Sequence, residues 1–154
     1  MGQPLLILEI KNMKRTIPYL LFILLLIILS CGKEESNLEA FNPEAFAYDL
    51  GGDWEVNAMV NVRGFEQRES SAKLYEASIS YSADIITPEG ETVKNLYSDT
   101  VNISLDEEIM DIPLEVQFDL DSTYSFGKYR IIINIVDNFS GNSVKSSAEF
   151  DLND

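Results

Sequence analysis

The sequence predicts an all-β domain in which seven to eight short strands form an antiparallel two-sheet sandwich. Four segments alternate apolar with polar residues, turn sequences containing Gly and Asn separate several of them, and no stretch after Cys31 has a helical period. Successive side chains of a strand point to opposite faces of a sheet, so this alternation indicates strands with one buried face. Antiparallel sandwiches bury one face of each sheet in this way.

The alternating segments cover residues 54–63, 75–85, 114–120 and 144–152. Their predicted core-facing residues are, in chain order, Trp54, Val56, Ala58, Val60, Val62, Tyr75, Ala77, Ile79, Tyr81, Ala83, Ile85, Leu114, Val116, Phe118, Leu120, Val144, Ala148, Phe150 and Leu152. Residues 129–136 are apolar on both faces at Ile132 and Val136, which predicts a central strand that is better covered than the others. A short first strand is predicted at residues 45–50.

Turn sequences mark the connections between these strands. Residues 87–90 (TPEG) have Pro at the second position and Gly at the fourth, which favours a β-turn and predicts a hairpin. A second hairpin is predicted at residues 137–142 (DNFSGN), between the last two strands. Residues 51–53 (GGD) separate the first strand from the strand that begins at Trp54.

Residues 126–152 (FGKYRIIINIVDNFSGNSVKSSAEFDL) carry a resemblance to a known family. The Gly-x-Tyr sequence, the alternating aliphatic residues, an aspartate, a Ser-Gly turn and a final strand resemble the last two strands of bacterial immunoglobulin-like domains. The resemblance implies an immunoglobulin-like β-sandwich over residues 44–154, in which the Tyr129 hydroxyl bonds back to the backbone at a sheet corner. Trp54 is predicted only as a core aromatic residue, and the inter-sheet cysteines are absent, as in many bacterial members. Because such sandwiches support many activities, the resemblance says little about function.

An apolar segment without charge, residues 17–29, follows a Lys-Arg pair and ends just before Ser30 and Cys31. Its thirteen residues are fewer than the ~20 of a transmembrane helix and fit the ~7–15 of a signal-peptide core. With Ile28 placed three residues before the cysteine, the segment resembles a bacterial lipoprotein signal. The resemblance implies cleavage between Ser30 and Cys31, with diacylglycerol and a further acyl chain on Cys31. A plain membrane anchor with a chance cysteine is the alternative.

The predicted organisation is a signal peptide at residues 1–30, a lipidated cysteine with an acidic tether at residues 31–43, and the sandwich at residues 44–154. Met13 starts a complete export signal, so translation from Met13 is favoured over a longer leader. Residues 33–35 (KEE) resemble the Lys-acidic-acidic export tag of surface lipoproteins in the Bacteroidetes group. The resemblance implies a lipid-anchored protein of the outer membrane, on the cell surface or on the periplasmic face.

The composition excludes several classes of function. The chain has 11 Lys and Arg against 26 Asp and Glu, a net charge of −15, and residues 31–154 carry 8 basic and 25 acidic side chains, a net charge of −17. Phosphate contacts need clustered Lys and Arg, so no nucleic-acid partner is expected. Histidine is absent, which removes Ser-His and Cys-His nucleophiles, and the sequence has no Gly-rich phosphate loop. No enzymatic activity is therefore predicted.

Two acidic clusters are candidate calcium ligands, namely residues 106–108 with Asp111, and Asp119 with Asp121. Neither cluster has the spacing of an EF-hand loop, so solvated carboxylates are the favoured interpretation. No metal ion or other cofactor is predicted.

Aromatic residues in the predicted loops are the candidate binding residues. Tyr124 and Phe126 precede the strand that contains Tyr129, and Phe139 lies in the last hairpin turn. Aromatic side chains at loop tips can form a binding edge, and the alternative is that they cover the core. These residues and the predicted anchor indicate a non-catalytic binding or accessory module, held at the bilayer by Cys31, that binds a protein or a glycan. The alternative is a structural subunit of a cell-envelope machine.

Overall fold

The computed structural model describes residues 37–153. They form eight strands, which are β1 (Glu39–Asp49), β2 (Trp54–Arg63), β3 (Arg68–Glu69), β4 (Tyr75–Ile86), β5 (Thr92–Leu105), β6 (Asp111–Leu120), β7 (Gly127–Asp137) and β8 (Ser143–Leu152). The predicted all-β class and number of strands are confirmed. The predicted signal peptide, Ser30, Cys31 and the tether as far as residue 36 lie outside the described residues. Within residues 37–153, no helix has the length and apolar character needed to cross a bilayer.

The strands form two antiparallel sheets. The three-stranded sheet has the order β1-β2-β6. In the five-stranded sheet, β5 pairs with one side of β4, while β7 and the short β3 pair with the other side, and β8 lies outside β7. β1 lies beside β8. On the opposite side of the sandwich, no described strand pairs with the outer edges of β5 and β6.

The core lies between the two sheets and is built from alternate residues of β2, β4, β6 and β7. The core-facing residues predicted for β2, β4 and β6 are buried, except that Tyr75 is half-buried at the end of its strand. Each buried Val, Leu or Ile side chain stabilises the fold by about 1.5–3 kcal/mol relative to an exposed one. In β8, Phe150 and Leu152 are buried, whereas Val144 and Ala148 are half-buried because β8 is an edge strand.

The prediction for β7 is confirmed in its position and wrong in its coverage. β7 lies between β4 and β8, as expected of a central strand. Its second face is not covered, since Ile132 is only half-buried and Val136 is exposed. No described element packs on the outer face of this sheet, so the apolar residues there stay partly in contact with water.

The first strand is longer than predicted. It begins at Glu39 rather than at residue 45. A β-bulge shifts the register between Phe41 and Glu44, and Asn42 within the bulge has a φ of 50°. The bulge interrupts the two-residue alternation, and a proline such as Pro43 argues against a strand in a sequence. The part of the strand before residue 45 was therefore hidden from a search for alternation.

The predicted turns form as hairpins. In the turn at residues 87–90, the Gly90 N–H donates to the Thr87 carbonyl at 2.9 Å. In the turn at residues 137–142, the Gly141 N–H donates to the Asp137 carbonyl at 2.8 Å. Between β1 and β2, the Leu50 N–H donates to the Asp53 carbonyl at 2.8 Å.

Tyr129 anchors the connection that leads from β6 into β7. Its side chain is 1% exposed, and its hydroxyl donates a hydrogen bond of 2.7 Å to the Ser125 carbonyl. The bond to the backbone that the family resemblance implied for Tyr129 is therefore confirmed. The ring stacks on Phe150 with a centroid distance of 5.3 Å. Burial raises the pKa of the Tyr129 hydroxyl, so the group remains a protonated donor.

A buried carboxylate, that of Asp137, joins two segments at the opposite end of β7. Within residues 37–153, Asp137 is the one buried residue that is polar or charged. Its carboxylate accepts hydrogen bonds from the N–H groups of Glu66 at 2.7 Å and Phe139 at 2.9 Å, and from the Ser140 hydroxyl at 2.5 Å. Glu66 belongs to the β2-β3 connection, whereas Phe139 and Ser140 belong to the turn. The carboxylate thus fixes the β7-β8 turn against the rest of the sandwich.

Candidate functional site

The aromatic residues predicted as one binding edge lie at two ends of the sandwich. Tyr124 and Phe126 precede β7, and Phe139 follows it. β7 has 11 residues, and a strand rises about 3.3 Å per residue, so the two groups are separated by roughly 30–35 Å. The structure therefore does not bring the three side chains together.

All three side chains make contacts within the domain, and two of them are half-buried. Tyr124 is half-buried beside Tyr129, with a centroid distance of 6.5 Å. Phe139 is half-buried beneath the guanidinium of Arg68, which lies 4.5 Å from the ring centroid. Phe126 is 61% exposed, although one edge of its ring meets Trp54 at a centroid distance of 6.2 Å. The alternative that aromatic residues cover the core thus applies to Tyr124, which packs against the core, whereas Phe139 is covered by Arg68.

A larger group of exposed aromatic and apolar side chains lies on the outer face of the three-stranded sheet. Phe46 is 44% exposed, Tyr48 is 57% exposed, and Met59 beside them is 37% exposed. The Phe46 and Tyr48 rings meet edge to face with centroids 5.2 Å apart. The strand register places Phe46 opposite Asn57 and Asn57 opposite Gln117. We call these five residues, Phe46, Tyr48, Asn57, Met59 and Gln117, the aromatic face.

The sequence of β1 explains why two aromatic rings point outward. Ala45 and Ala47 alternate with Phe46 and Tyr48, and the alanines pair with core-facing residues of β2. The small residues therefore take the inward positions, and the aromatic residues take the outward ones. The sequence analysis missed this surface because it considered only aromatic residues in the predicted loops as binding residues. The sequence of β1 does contain the pattern that indicates it. Where two alanines take the inward positions of a strand, the aromatic residues that alternate with them must point outward.

A groove of about 350 Å³ lies against the aromatic face. Its lining residues are Phe46, Asn57, Ala58, Met59, Tyr97, Glu115, Val116 and Gln117. Tyr97 belongs to β5 and reaches the groove beside the unpaired edge of β6. The groove therefore combines an aromatic wall, two side-chain amides and a carboxylate, which is a set suited to binding rather than to covalent chemistry.

A hydrogen bond between the sheets supports the groove from beneath. The Tyr81 hydroxyl of β4 donates to the Glu115 carbonyl of β6 at 2.9 Å. Burial is the main cause that raises the pKa of the Tyr81 hydroxyl, so it stays protonated and keeps its role as donor. Tyr97 packs against Tyr81 with a centroid distance of 5.8 Å. The edge of β6 beside the groove is thus held to the second sheet.

The outer face of the three-stranded sheet is strongly acidic. Its outward positions carry one cation, Arg63, and the carboxylates of Glu39, Glu44, Glu55, Asp111, Glu115 and Asp119. Arg63 is already bound to Glu39 through an N–O distance of 2.8 Å. The carboxylates around Phe46 and Tyr48 therefore have no cationic partner on this face of the described chain.

A second depression of about 510 Å³ lies on the outer face of the five-stranded sheet. Its lining includes Ser80, Ser82, Ser98, Thr100 and Asn134. Its small polar groups bond to one another, for example Ser80 to Thr100 at 2.9 Å. Its wall has one exposed aliphatic side chain and no exposed aromatic ring. The groove at the aromatic face is smaller, but it has exposed aromatic rings beside it.

The acidic clusters considered for calcium do not converge. Across the described range 37–153, no three Asp, Glu, His or Cys side chains are placed to hold one metal ion. The Asp121 carboxylate accepts hydrogen bonds from the Thr123 N–H at 2.9 Å and the Thr123 hydroxyl at 2.5 Å, and these bonds lower its pKa. Asp121 therefore stabilises its own turn.

No family model and no curated protein matches this chain. Among solved structures, a Northeast Structural Genomics Consortium target is 12% identical, with 76% of this chain and 88% of that chain covered and a TM-score of 0.43. A protein from Archaeoglobus fulgidus is 12% identical, with 75% and 98% covered and a TM-score of 0.45. A family 123 glycoside hydrolase from Clostridium perfringens is 12% identical, with 64% and 21% covered and a TM-score of 0.42. At such low identities and TM-scores, these likenesses carry no argument about function.

Proposed function

We propose that this protein is a lipid-anchored lipoprotein of the cell envelope whose sandwich domain is a non-catalytic binding module. The exposed pair of Phe46 and Tyr48 beside the groove is the observation that carries the proposal. Single exposed apolar residues are common on protein surfaces, whereas clustered aromatic rings mark binding surfaces. A sheet face holds such rings more rigidly than a loop does, which reduces the entropy lost on binding.

The sandwich is proposed to be immunoglobulin-like. The hydrogen bond from Tyr129 to the Ser125 carbonyl supports this, because a tyrosine that bonds back to the backbone at a sheet corner is a hallmark of such domains. The strand order supports it as well, since four in-sheet hairpins are combined with crossings between the sheets after β2, β5 and β6. Trp54 contributes as a buried aromatic residue in the core.

The proposed anchor is an acylated Cys31, which would hold the protein at the outer membrane. Its support is the apolar segment that ends at Ser30 and Cys31, followed by the acidic tether. Two or three acyl chains hold a protein stably at a bilayer, because each buried CH₂ contributes about 0.8 kcal/mol. The module would then present its aromatic face to a protein or a glycan close to the membrane.

Metabolic labelling with a clickable fatty acid tests the anchor. The wild-type protein should be labelled and should fractionate with membranes, whereas Cys31→Ser should be unlabelled. Equal labelling of the two proteins would contradict lipidation at Cys31. The same cells separate display from the alternative role, because external protease should cut a surface module and should spare a subunit packed inside an envelope machine.

A further inference from the structure

We infer that the aromatic face binds the arginine and lysine side chains of a basic protein segment. The inference rests on the proposed binding function of this face and adds the chemical class of its partner. It is carried by two arrangements within the domain that already bind a guanidinium, and by a third set of groups that lacks one.

The first arrangement lies at the end of the same sheet. The Arg63 guanidinium lies 4.9 Å from the centroid of the Phe41 ring. Two of its nitrogens donate to the Glu39 carboxylate, at 2.9 Å and 2.8 Å. The distance from the guanidinium to the ring is that of a favourable cation–π contact. The distances to the carboxylate are those of charge-assisted hydrogen bonds.

The second arrangement involves β3 of the other sheet, which follows β2 along the chain. The Arg68 guanidinium lies 4.5 Å from the centroid of the Phe139 ring. It donates to the Glu66 carboxylate at 3.0 Å and to the Phe139 carbonyl at 2.7 Å. An arginine on each sheet is thus bound by the same pair of groups, an aromatic ring and a glutamate.

The aromatic face and the carboxylates beside it provide these groups without the cation. The Asn57 amide donates a hydrogen bond of 2.9 Å to the Glu55 carboxylate, which is a neutral contact and leaves the charge of Glu55 without a cationic partner. Tyr48 lies opposite Glu55, and Glu55 lies opposite Asp119. In the neighbouring rows, Phe46 lies opposite Asn57, and Met59 lies between Glu44 and Glu115. None of the carboxylates in these rows forms an ion pair with a described residue. An incoming guanidinium or ammonium group could therefore contact a ring and a carboxylate together, as Arg63 and Arg68 do.

The charge of the face favours a basic protein segment over the other ligand classes. A segment rich in Arg and Lys would gain from the rings and from the carboxylates at once. An acidic glycan would be repelled by the same carboxylates, and a neutral glycan would gain stacking without using the excess negative charge. The net charge of −15 would also speed the approach of a basic partner at low salt.

A peptide titration tests the inference on the full chain, purified from membranes in a neutral detergent. The probe is a fluorescein-labelled peptide that alternates Arg and Gly, and its binding is followed by fluorescence anisotropy. A peptide that alternates Glu and Gly is the control probe. The Arg peptide should bind, with an affinity that falls as salt is added, and the Glu peptide should not bind.

Two double variants locate the site. The change Phe46→Ala with Tyr48→Ala should weaken Arg-peptide binding by about tenfold, because two cation–π contacts are lost. The change Glu55→Gln with Glu115→Gln should weaken it by a similar factor and reduce its salt dependence. Phe126→Ala, which removes an exposed ring elsewhere, should leave the affinity unchanged. The change Glu107→Gln with Glu108→Gln removes the same charge from an exposed loop, and it should also leave the affinity for the Arg peptide unchanged.

Four results would overturn the inference. If the Arg peptide does not bind, or if the loop variant weakens binding as much as Glu55→Gln with Glu115→Gln, the face does not select cations. If a neutral oligosaccharide binds instead and is lost in the Phe46→Ala, Tyr48→Ala variant, the ligand class is wrong while the proposed binding function stands. If the binding of the Arg peptide and of the oligosaccharide is unchanged in the Phe46→Ala, Tyr48→Ala variant, the binding function proposed for this face fails as well. Circular dichroism of each variant verifies that it is folded.

Discussion

Replacing Asp137 with alanine should lower the free energy of unfolding by about 3–5 kcal/mol, because three donors around its carboxylate lose their acceptor. Two of these donors are the N–H groups of Glu66 and Phe139, and the third is the Ser140 hydroxyl. Asp137 is fully buried, so water cannot easily replace its oxygens in the folded state. Asp137→Asn keeps one acceptor oxygen and should lose less stability. Urea unfolding followed by circular dichroism measures both changes.

Asp121 provides the matched control for Asp137. Its carboxylate also accepts bonds within a turn, from the N–H and the hydroxyl of Thr123, but it is exposed. Water can take the place of an exposed carboxylate, so Asp121→Ala should cost less than about 1 kcal/mol. Equal losses in the two variants would show that burial of Asp137 and its bond to the Glu66 backbone do not matter.

Tyr129→Phe should lower the free energy of unfolding by about 1–3 kcal/mol, because it leaves the Ser125 carbonyl without the hydroxyl that it binds. The ring of phenylalanine preserves the stacking on Phe150, so the change isolates the hydrogen bond. The comparison of urea midpoints with the wild type measures the loss, provided that the slopes agree.

Tyr124→Phe is the control for this change. Tyr124 lies beside Tyr129, and its hydroxyl forms no hydrogen bond with a described residue. Its removal should therefore change the free energy of unfolding by less than about 0.5 kcal/mol. A loss for Tyr129→Phe no larger than that for Tyr124→Phe would contradict the structural role of the corner tyrosine.

The strands that alternate cleanly were predicted from the sequence because each buries one face. β2 spans the predicted residues 54–63, and β4 and β6 extend the predicted segments by a few residues. β1 and β5 were less accessible to this reasoning, since a bulge interrupts each of their pairings. In β5, Asn95 adopts a φ of 56° and breaks the two-residue period. Bulges depend on the partner strand, so a local pattern does not reveal them.

The candidate site was predicted less well than the fold. The loop residues Tyr124, Phe126 and Phe139 were chosen as aromatic tips, but which of them stays free depends on Arg68 and Trp54, which are distant in sequence. The role of Asp137 was hidden for the same reason, because its partner Glu66 is 71 residues away. In contrast, the bond of Tyr129 spans four residues, and it was predicted from the family resemblance that a short sequence pattern carries. Contacts between remote segments follow from the fold and not from local sequence.

Photo-cross-linking in living cells tests the central claim, that the aromatic face is the binding surface, most directly. A photoreactive p-benzoylphenylalanine at position 48 replaces one aromatic ring with another, and the same residue at positions 126 and 98 reports on Phe126 and on the second depression. We expect a reproducible adduct from position 48, formed with a segment that contains Arg or Lys, and none from the other two positions. An adduct from position 98 or 126 in the absence of one from position 48 would contradict the account.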